Sequence, residues 1–434
     1  MKILRYGSTG GEVALLQLAL ARAGYSPGAL DGVFGSATAT ALRTFQTRNG
    51  LTADAVAGPE TYRALMPYFT GYINHTVRAG DSLYRIAGMY GSTLRAVETA
   101  NPGIDPLNLR IGAAVTVPLP FDVVPTNIPW TSALVGYTVR GLAARYPFLS
   151  VGDYGRSVIG RPLYYLRLGT GAATVAYNAS HHANEWLTTP VLMKFAEQYA
   201  QAYSSGGAVF GIPARELWEE TTIYLAPAVN PDGIDLVTGA ISSGTYYDSA
   251  RTIARRYPSI PFPSGWKANI RGTDLNLQYP AGWEQAREIK FAQGYTTPAP
   301  RDYVGTAPLS APESRALYDF TVSIDPALTL SYHTQGEVIY WKYLDFEPPR
   351  SREIALRFGE VSGYAVEETP YASGYAGYKD WFILNYNRPG YTIEVGSGDN
   401  PLPLSQFGEI YRDNIGILTL GAVAVSPGLN ARYF

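Results

Sequence analysis

Thr174-Val175-Ala176-Tyr177-Asn178-Ala179-Ser180-His181-His182-Ala183-Asn184-Glu185-Trp186 decides how the larger part of this 434-residue chain is read. Residues 174–178 form a short apolar run of strand length, and helical spacing follows over residues 189–203. The chain has four His, and two of them stand just after that strand. His182 and Glu185, three positions apart on a turn, can face one point and offer nitrogen and oxygen to zinc. A third ligand must come from elsewhere, and His333, closing the apolar run Leu328-Thr329-Leu330, is suited to it. His181 competes from the neighbouring position, although strand alternation directs its side chain away from that of His182. An isolated His at a strand end is more often a satisfied surface or core residue; the combination is what argues for a metal.

Outward from this stretch, residues 163–168, 221–228 and 328–332 also read as strands, alternating with helical segments. That order predicts an α/β fold with a mixed central sheet flanked by helices, its ligand-bearing residues at strand ends. Hydrophobic residues make up 46 % and charged residues 16 %, enough for folded domains throughout. The net charge of -2 removes the electrostatic case for nucleic acid. With no Cys, any metal must be held by His and carboxylate. The 34 Tyr suit clefts that stack on and hydrogen-bond to glycans or peptides. The first residues lack the apolar run of a secretory signal, and no segment has membrane-span length. The expectation is a soluble bacterial protein, cytoplasmic or associated with the spore or cell wall by a non-classical route.

The N-terminal residues carry helical spacing in Val13, Leu15, Leu16, Leu18 and Leu20, a second helix over 36–48 and a third from Pro59. Gly11-x-Val13, Leu16-Gln17, Asp31-Gly32-x-Phe34-Gly35, Phe45-Gln46 and Gly58-Pro59-x-Thr61 resemble the peptidoglycan-binding domain 1 family, a three-helix bundle. Val77-Arg78-x-Gly80-Asp81-Ser82-Leu83-x-x-Ile86-Ala87, Asn101-Pro102 and Val117-Pro118 resemble a βααβ LysM module, a family that binds glycan strands containing N-acetylglucosamine. A strand is expected over 75–78 and a helix cap at Asp81 or Ser82. The expected division is 1–68 and 74–119 for the modules, 120–130 for a linker of limited flexibility set by Pro120, Pro125 and Pro129, and 131–434 for a catalytic domain.

In the last of these, Asn230-Pro231-Asp232-Gly233, Asp274-Leu275-Asn276, His333, Asp380-Trp381 and Gly390-Tyr391-Thr392-Ile393-Glu394 follow the order of the zinc carboxypeptidase family, which they resemble. The resemblance implies one zinc per chain on His182, Glu185 and His333, Glu394 as the base that activates water, Tyr371 and Asn276 at the substrate, and Lys267 or Arg271 as the cation on the developing oxyanion. The family's carboxylate-clamping Arg is replaced by Leu277, which cannot make a bidentate pair and puts simple C-terminal trimming in doubt. His182-Ala183-Asn184-Glu185-Trp186 and residues 274–284 are similar to bacterial γ-D-glutamyl-L-diamino acid endopeptidases, which cleave the γ-D-glutamyl–diaminopimelate or –L-Lys bond. The alternatives are an exo-acting enzyme such as a D-Ala-D-Ala carboxypeptidase, and a catalytically dead wall-binding protein. The implied partners are peptidoglycan glycan strands and muropeptides, with no nucleic acid and no membrane.

Overall fold

The computed structural model describes residues 2–434, and packing divides the chain into two compact units, Met1–Ser150 and Val151–Phe434.

The first unit opens with α1 (Gly11–Arg22), α2 (Ser36–Arg48) and α3 (Pro59–Thr70). A duplicated polar device wires it together. Gln17, buried on α1, shares its amide protons among Asp31 Oδ1, Val33 O and Thr38 Oγ1 at 3.0–3.2 Å, and its oxygen accepts from Gly32 N at 2.9 Å. Gln46 on α2 repeats this with Asp54, Val56 and Thr61 at 2.9–3.2 Å and with Ala55 N at 2.9 Å. Each Gln thereby pays for its own burial by satisfying the turn that leads into the next helix. The Leu-Gln and Phe-Gln pairs are two copies of one solution.

The LysM-like part has β1 (Tyr72–Thr76), α4 (Leu83–Met89), α5 (Leu94–Ala100) and β2 (Ala114–Pro118), with the strands antiparallel. Val77, Leu83, Ile86, Val97, Val115 and Val117 form its core. β1 lies upstream of the expected 75–78 because the ladder pairs Tyr72 with Pro118 and Thr76 with Ala114. Ser82 is the helix cap, accepting from Arg85 N at 3.2 Å. Asp81 instead accepts from Arg78 N at 2.8 Å and meets His75 Nε2 at 2.9 Å.

Residues 120–130 do not hang as a connector. Val123, Val124, Ile128 and Trp130 are buried, and the Trp130 indole donates to Pro125 O at 3.0 Å. The prolines extend the backbone, but four apolar side chains give the segment a face to bury. α6 (Ser132–Arg145) packs on α3, β1 and β2, so the compact unit runs to Ser150 rather than stopping near residue 131. Gly141 permits that contact, since a Cβ there would fall 2.1 Å from Thr70 O.

In the second unit the elements are β3 (Ser150–Arg156), β4 (Pro162–Gly169), β5 (Ala173–Ala179), α7 (Thr188–Ser205), the small hairpin β6 (Ala208–Val209) and β7 (Ile212–Pro213), α8 (Ala214–Glu220), β8 (Thr221–Ala226), α9 (Pro231–Val237), α10 (Thr245–Ala254), α11 (Trp283–Ala292), α12 (Pro312–Ile324), β9 (Leu328–His333), β10 (Val338–Tyr340), α13 (Ser351–Ser362), β11 (Ala365–Glu367), α14 (Tyr378–Tyr386), β12 (Gly390–Glu394), α15 (Phe407–Val423) and α16 (Pro427–Tyr433). Eight strands form one mixed sheet in the order β11-β10-β12-β9-β5-β8-β4-β3. Its centre, β12-β9-β5-β8, is parallel, with antiparallel joins to β10 and β4. Every residue of β9 is buried, as a strand covered on both faces requires. α7 and α15 pack on β5, where Tyr177 reaches across to Leu418 O of α15 at 3.0 Å, while α14 packs on β9 and β12. Among the described residues no helix is long and apolar enough to cross a membrane.

The duplicated turn yields a paired test. Gly32 and Ala55 hold equivalent left-handed positions, with φ of 72° and 55°. That backbone costs a non-glycine residue roughly 1–2 kcal/mol, and glycine's unfolded-state freedom returns about 0.4–1 kcal/mol. Ala55→Gly should therefore stabilise residues 1–150 by up to about 1 kcal/mol in urea unfolding. Gly32→Ala should destabilise the same unit, its Cβ falling 3.0 Å from Gly10 O.

Candidate metal centre

Three parallel strands deliver the chemistry to one edge. β5 ends at Ala179 and leads through Ser180 to His181 and His182; β9 ends on His333; β12 ends on Glu394, the ladder partner of His333. A single helical turn, Ala183–Glu185, brings Glu185 back towards His182. This is the carboxyl edge of the parallel strands, where open α/β sheets place their ligands.

The His182, Glu185 and His333 ligand atoms lie within 4.8 Å of one another, all three residues buried. His182 Nδ1 stands 2.9 Å from Glu185 Oε1 and 3.2 Å from His333 Nδ1, and His333 Nδ1 is 3.0 Å from Glu185 Oε2. On the far side of the ring, His182 Nε2 meets Asp274 Oδ1 at 3.2 Å. An Nε2–H donated to that carboxylate leaves the Nδ1 lone pair facing the cluster, the arrangement a metal-binding imidazole requires. Two nitrogens and a carboxylate converging from a buried, Cys-free surface fit zinc with an open coordination position.

Around this group the structure sorts the expected residues. Lys267 Nζ stands 2.9 Å from Glu185 Oε1 and lines the cleft, of about 810 Å³, that also exposes His182, His333, Asn276 and Glu394. Arg271 does not line it; its side chain is exposed and its backbone N–H is held by Asn269 Oδ1 at 3.1 Å. Of the two cations, Lys267 is the one brought to the site. Asn276 accepts from Tyr378 N at 3.0 Å and turns its amide nitrogen to 3.5 Å from His333 Nε2. Leu277 is buried among Trp283, Ala286, Val304 and Ala376, so the clamp position is apolar in three dimensions as well as in sequence. His181 lies outside the ligand group: its Nε2 meets the Tyr279 hydroxyl at 2.9 Å and its ring stacks on that of His333 at 5.6 Å.

Tyr371 is not in the cleft. It sits 67 % exposed on the turn Tyr371–Ser373, with its ring edge-on to Tyr375 and its hydroxyl 3.3 Å from Gln285 Nε2. It lines a neighbouring hollow that shares Thr369 and Asp380 with the cleft.

Burial, reinforced by the negative charge of Glu185, pushes the Glu394 carboxyl up to about 8 against the opposing pull of Lys267 and His182. Positive charge held beside Glu185 would oppose this rise and favour the ionised carboxylate that a general base needs.

Two supports were not assigned from sequence. Asp274 bridges His182 and the backbone, its Oδ2 accepting from Asp302 N at 3.1 Å. Asn230 ties the His181 and Lys267 loops together, donating to His181 O at 3.1 Å and Ala268 O at 3.0 Å while accepting from Gly233 N at 3.0 Å. Gly233 has no room for a Cβ, which would lie 2.6 Å from Asn230 Oδ1 and 2.7 Å from the Ala183 Cβ. The Asn-Pro-Asp-Gly and Asp-Leu-Asn stretches were visible, but the partners that explain them lie 37 and 92 residues away.

Comparison with known proteins agrees with this geometry. The zinc carboxypeptidase family profile matches residues 137–416. The chain belongs to the zinc carboxypeptidase family. Profiles for a peptidoglycan-binding domain and a LysM domain match residues 9–65 and 75–118 of this zinc peptidase. It is 44 % identical to Gamma-D-glutamyl-L-diamino acid endopeptidase 1 of Lysinibacillus sphaericus over 65 % of this chain and 69 % of that protein. It is 42 % identical to YqgT of Bacillus subtilis (strain 168), over 63 % and 72 %. The structure of bovine thrombin-activatable fibrinolysis inhibitor with tick carboxypeptidase inhibitor shares the fold, with a TM-score of 0.51 at 18 % identity over 68 % of this chain and 97 % of that one.

His182→Ala and His333→Ala should each abolish stoichiometric zinc in metal analysis of the purified zinc peptidase, and His181→Ala should keep it. Asp274→Ala should weaken zinc affinity by about 10- to 100-fold in chelator competition, the usual effect of losing the carboxylate behind a metal-bound His.

Proposed function

We propose that this zinc peptidase hydrolyses the γ-D-glutamyl–diaminopimelate, or γ-D-glutamyl–L-Lys, bond of peptidoglycan stem peptides. The observation that carries the reading is the convergence of a two-His, one-Glu metal group, Lys267 and Glu394 in a cleft whose clamp position is the buried Leu277. A free C-terminal carboxylate finds no guanidinium at that position, which favours an internal bond over exo-acting trimming. The similarity to an endopeptidase of that specificity supports the same bond, and the peptidoglycan-binding and LysM matches support a wall polymer as the substrate's source. The complete metal group argues against a dead enzyme.

His182, Glu185 and His333 would hold the zinc, which when bound lowers the pKa of water and polarises the scissile carbonyl. Glu394 takes the proton from the attacking water and returns it to the departing amine, acting first as base and then as acid. Lys267 opposes the negative charge that develops on the carbonyl oxygen. Asn276 is held by Tyr378 N and presents its amide to the substrate beside His333. Tyr371, on its exposed turn, contacts the stem peptide at the mouth of the site. Residues 1–68 and 74–119 act as wall anchors, and the unit of residues 151–434, which holds the whole metal group, carries the hydrolysis.

Glu394→Gln keeps shape and zinc but can neither accept nor return a proton, so single-turnover cleavage of L-Ala-γ-D-Glu-diaminopimelate should fall by about 10²–10⁴ at equal zinc occupancy. Near-normal turnover would refute the assignment. Independently, a fragment of residues 1–150 should pellet with insoluble peptidoglycan, and failure to do so would remove the anchoring role.

A further inference from the structure

Among the cations of the cleft that have no part in the chemistry described so far, Arg301 stands apart. Arg301 lines the cavity, and its side chain is 44 % exposed. Its Nε donates to Asp302 Oδ2 at 2.6 Å, and among the described residues its two terminal nitrogens make no hydrogen bond to the protein. The other cations of the lining are engaged at their ends: Lys267 on Glu185, Lys290 on Asp302 and Lys379 on Asp380. Arg301 therefore offers the paired, coplanar N–H groups that fit a carboxylate.

Its backbone is anchored to the metal group. Asp302 N donates to Asp274 Oδ2 at 3.1 Å, and Asp274 Oδ1 meets His182 Nε2 at 3.2 Å, so two hydrogen bonds separate the 301–302 turn from a zinc ligand. Asp302 takes a left-handed backbone, with φ of 65°, and its second carboxylate oxygen is held by Lys290 Nζ at 2.7 Å. Asp302 thus fixes the Nε side of the guanidinium and leaves its terminal nitrogens available in the lining of the cleft.

A γ-glutamyl amide differs from an ordinary peptide bond on its acyl side, where the glutamyl α-carboxylate remains free only a few carbons from the scissile carbonyl. Enclosing that carboxylate without a partner would cost binding energy. We propose that Arg301 binds the free α-carboxylate of the γ-linked glutamyl residue and so selects γ-glutamyl bonds over α-peptide bonds. This rests on the proposed γ-glutamyl specificity.

The test uses L-Ala-γ-D-Glu-diaminopimelate, the same peptide with the glutamyl α-carboxylate amidated, and the same peptide with L-Lys in place of diaminopimelate. Wild type, Arg301→Gln and Arg301→Lys are compared at matched zinc content. Arg301→Gln should lower kcat/KM on the first and third peptides by about 10- to 100-fold, the value of hydrogen bonds to an ionised group. On the amidated peptide, wild type and Arg301→Gln should be within a few-fold of each other. Arg301→Lys should recover part of the loss, keeping the charge but not the fork. Equal effects of Arg301→Gln on all three peptides, or no effect on any, would overturn the proposal and leave the γ-glutamyl reading standing. An effect lost with L-Lys would move the contact to the diamino acid and also overturn it. If wild type cleaves none of the three, the γ-glutamyl reading falls and takes this inference with it.

Discussion

His333 and Glu394 are ladder partners at the ends of β9 and β12, and β5, on the other side of β9, runs in the same direction. Parallel pairing makes the three strands end on one edge, so an imidazole, a carboxylate and the loop bearing His182 and Glu185 arrive together without any long excursion of chain. The site's accuracy is that of the hydrogen-bonded ladder beneath it. Strands β9 and β12 are buried along most of their length, and slipping either by one residue would turn every core side chain to the wrong face. The sheet core and the catalytic edge are set by the same register.

Holding charge at that edge demands compensation. Glu185 sits between two imidazoles and Lys267, which offset a burial that would otherwise favour its neutral form and hold its carboxyl well below the usual range. Asp274 is likewise held low against burial by His182 and Lys267, helped by the backbone N–H of Asp302. Removing one member of such a buried set leaves its partners unpaired in a poorly solvated place, and that is far more costly than the pair is stabilising. The supports extend outward through Asn230 and Gly233, which lock the loops that carry His181, Ala183 and Lys267.

The N-terminal unit solves a smaller problem with a repeated part. A short three-helix domain has little apolar surface to bury, and each of its interhelical turns is wired to a buried Gln that saturates the turn's polar groups. Residues 120–130 and α6 then add apolar surface to the same unit, including Phe69 stacked on Tyr137 at 5.0 Å. The proline-rich stretch that resembled a linker is part of this packing.

Much was legible from local pattern. The α2 helix over 36–48, the buried strands around 174–178 and 328–332, the pairing of His182 with Glu185 and the candidate third ligand at His333 follow from apolar periodicity and from the few His in a Cys-free chain. Those features depend on neighbours within a few positions, which a linear reading contains. Other choices depended on contacts far along the chain. Lys267 and Arg271 are equivalent as residue types, and only the packing of their loop brings the first against Glu185 and leaves the second exposed. Tyr371 has the right order in sequence, but its turn holds it against Tyr375, outside the cleft. Asp274 stood in a visible Asp-Leu-Asn motif, but its contact behind His182, like the anchoring of the Arg301 turn through Asp302, follows from no local pattern. The sequence by itself determined the central strands and the metal-ligating residue types, because these rest on short-range periodicity and on donor chemistry, and its motifs carried the family resemblance that marks the modules. Only the tertiary structure decided that Lys267 rather than Arg271 faces Glu185, that Tyr371 lies outside the cleft and that Asp274 backs His182, because those contacts are made by side chains that meet only after the sheet has closed its register.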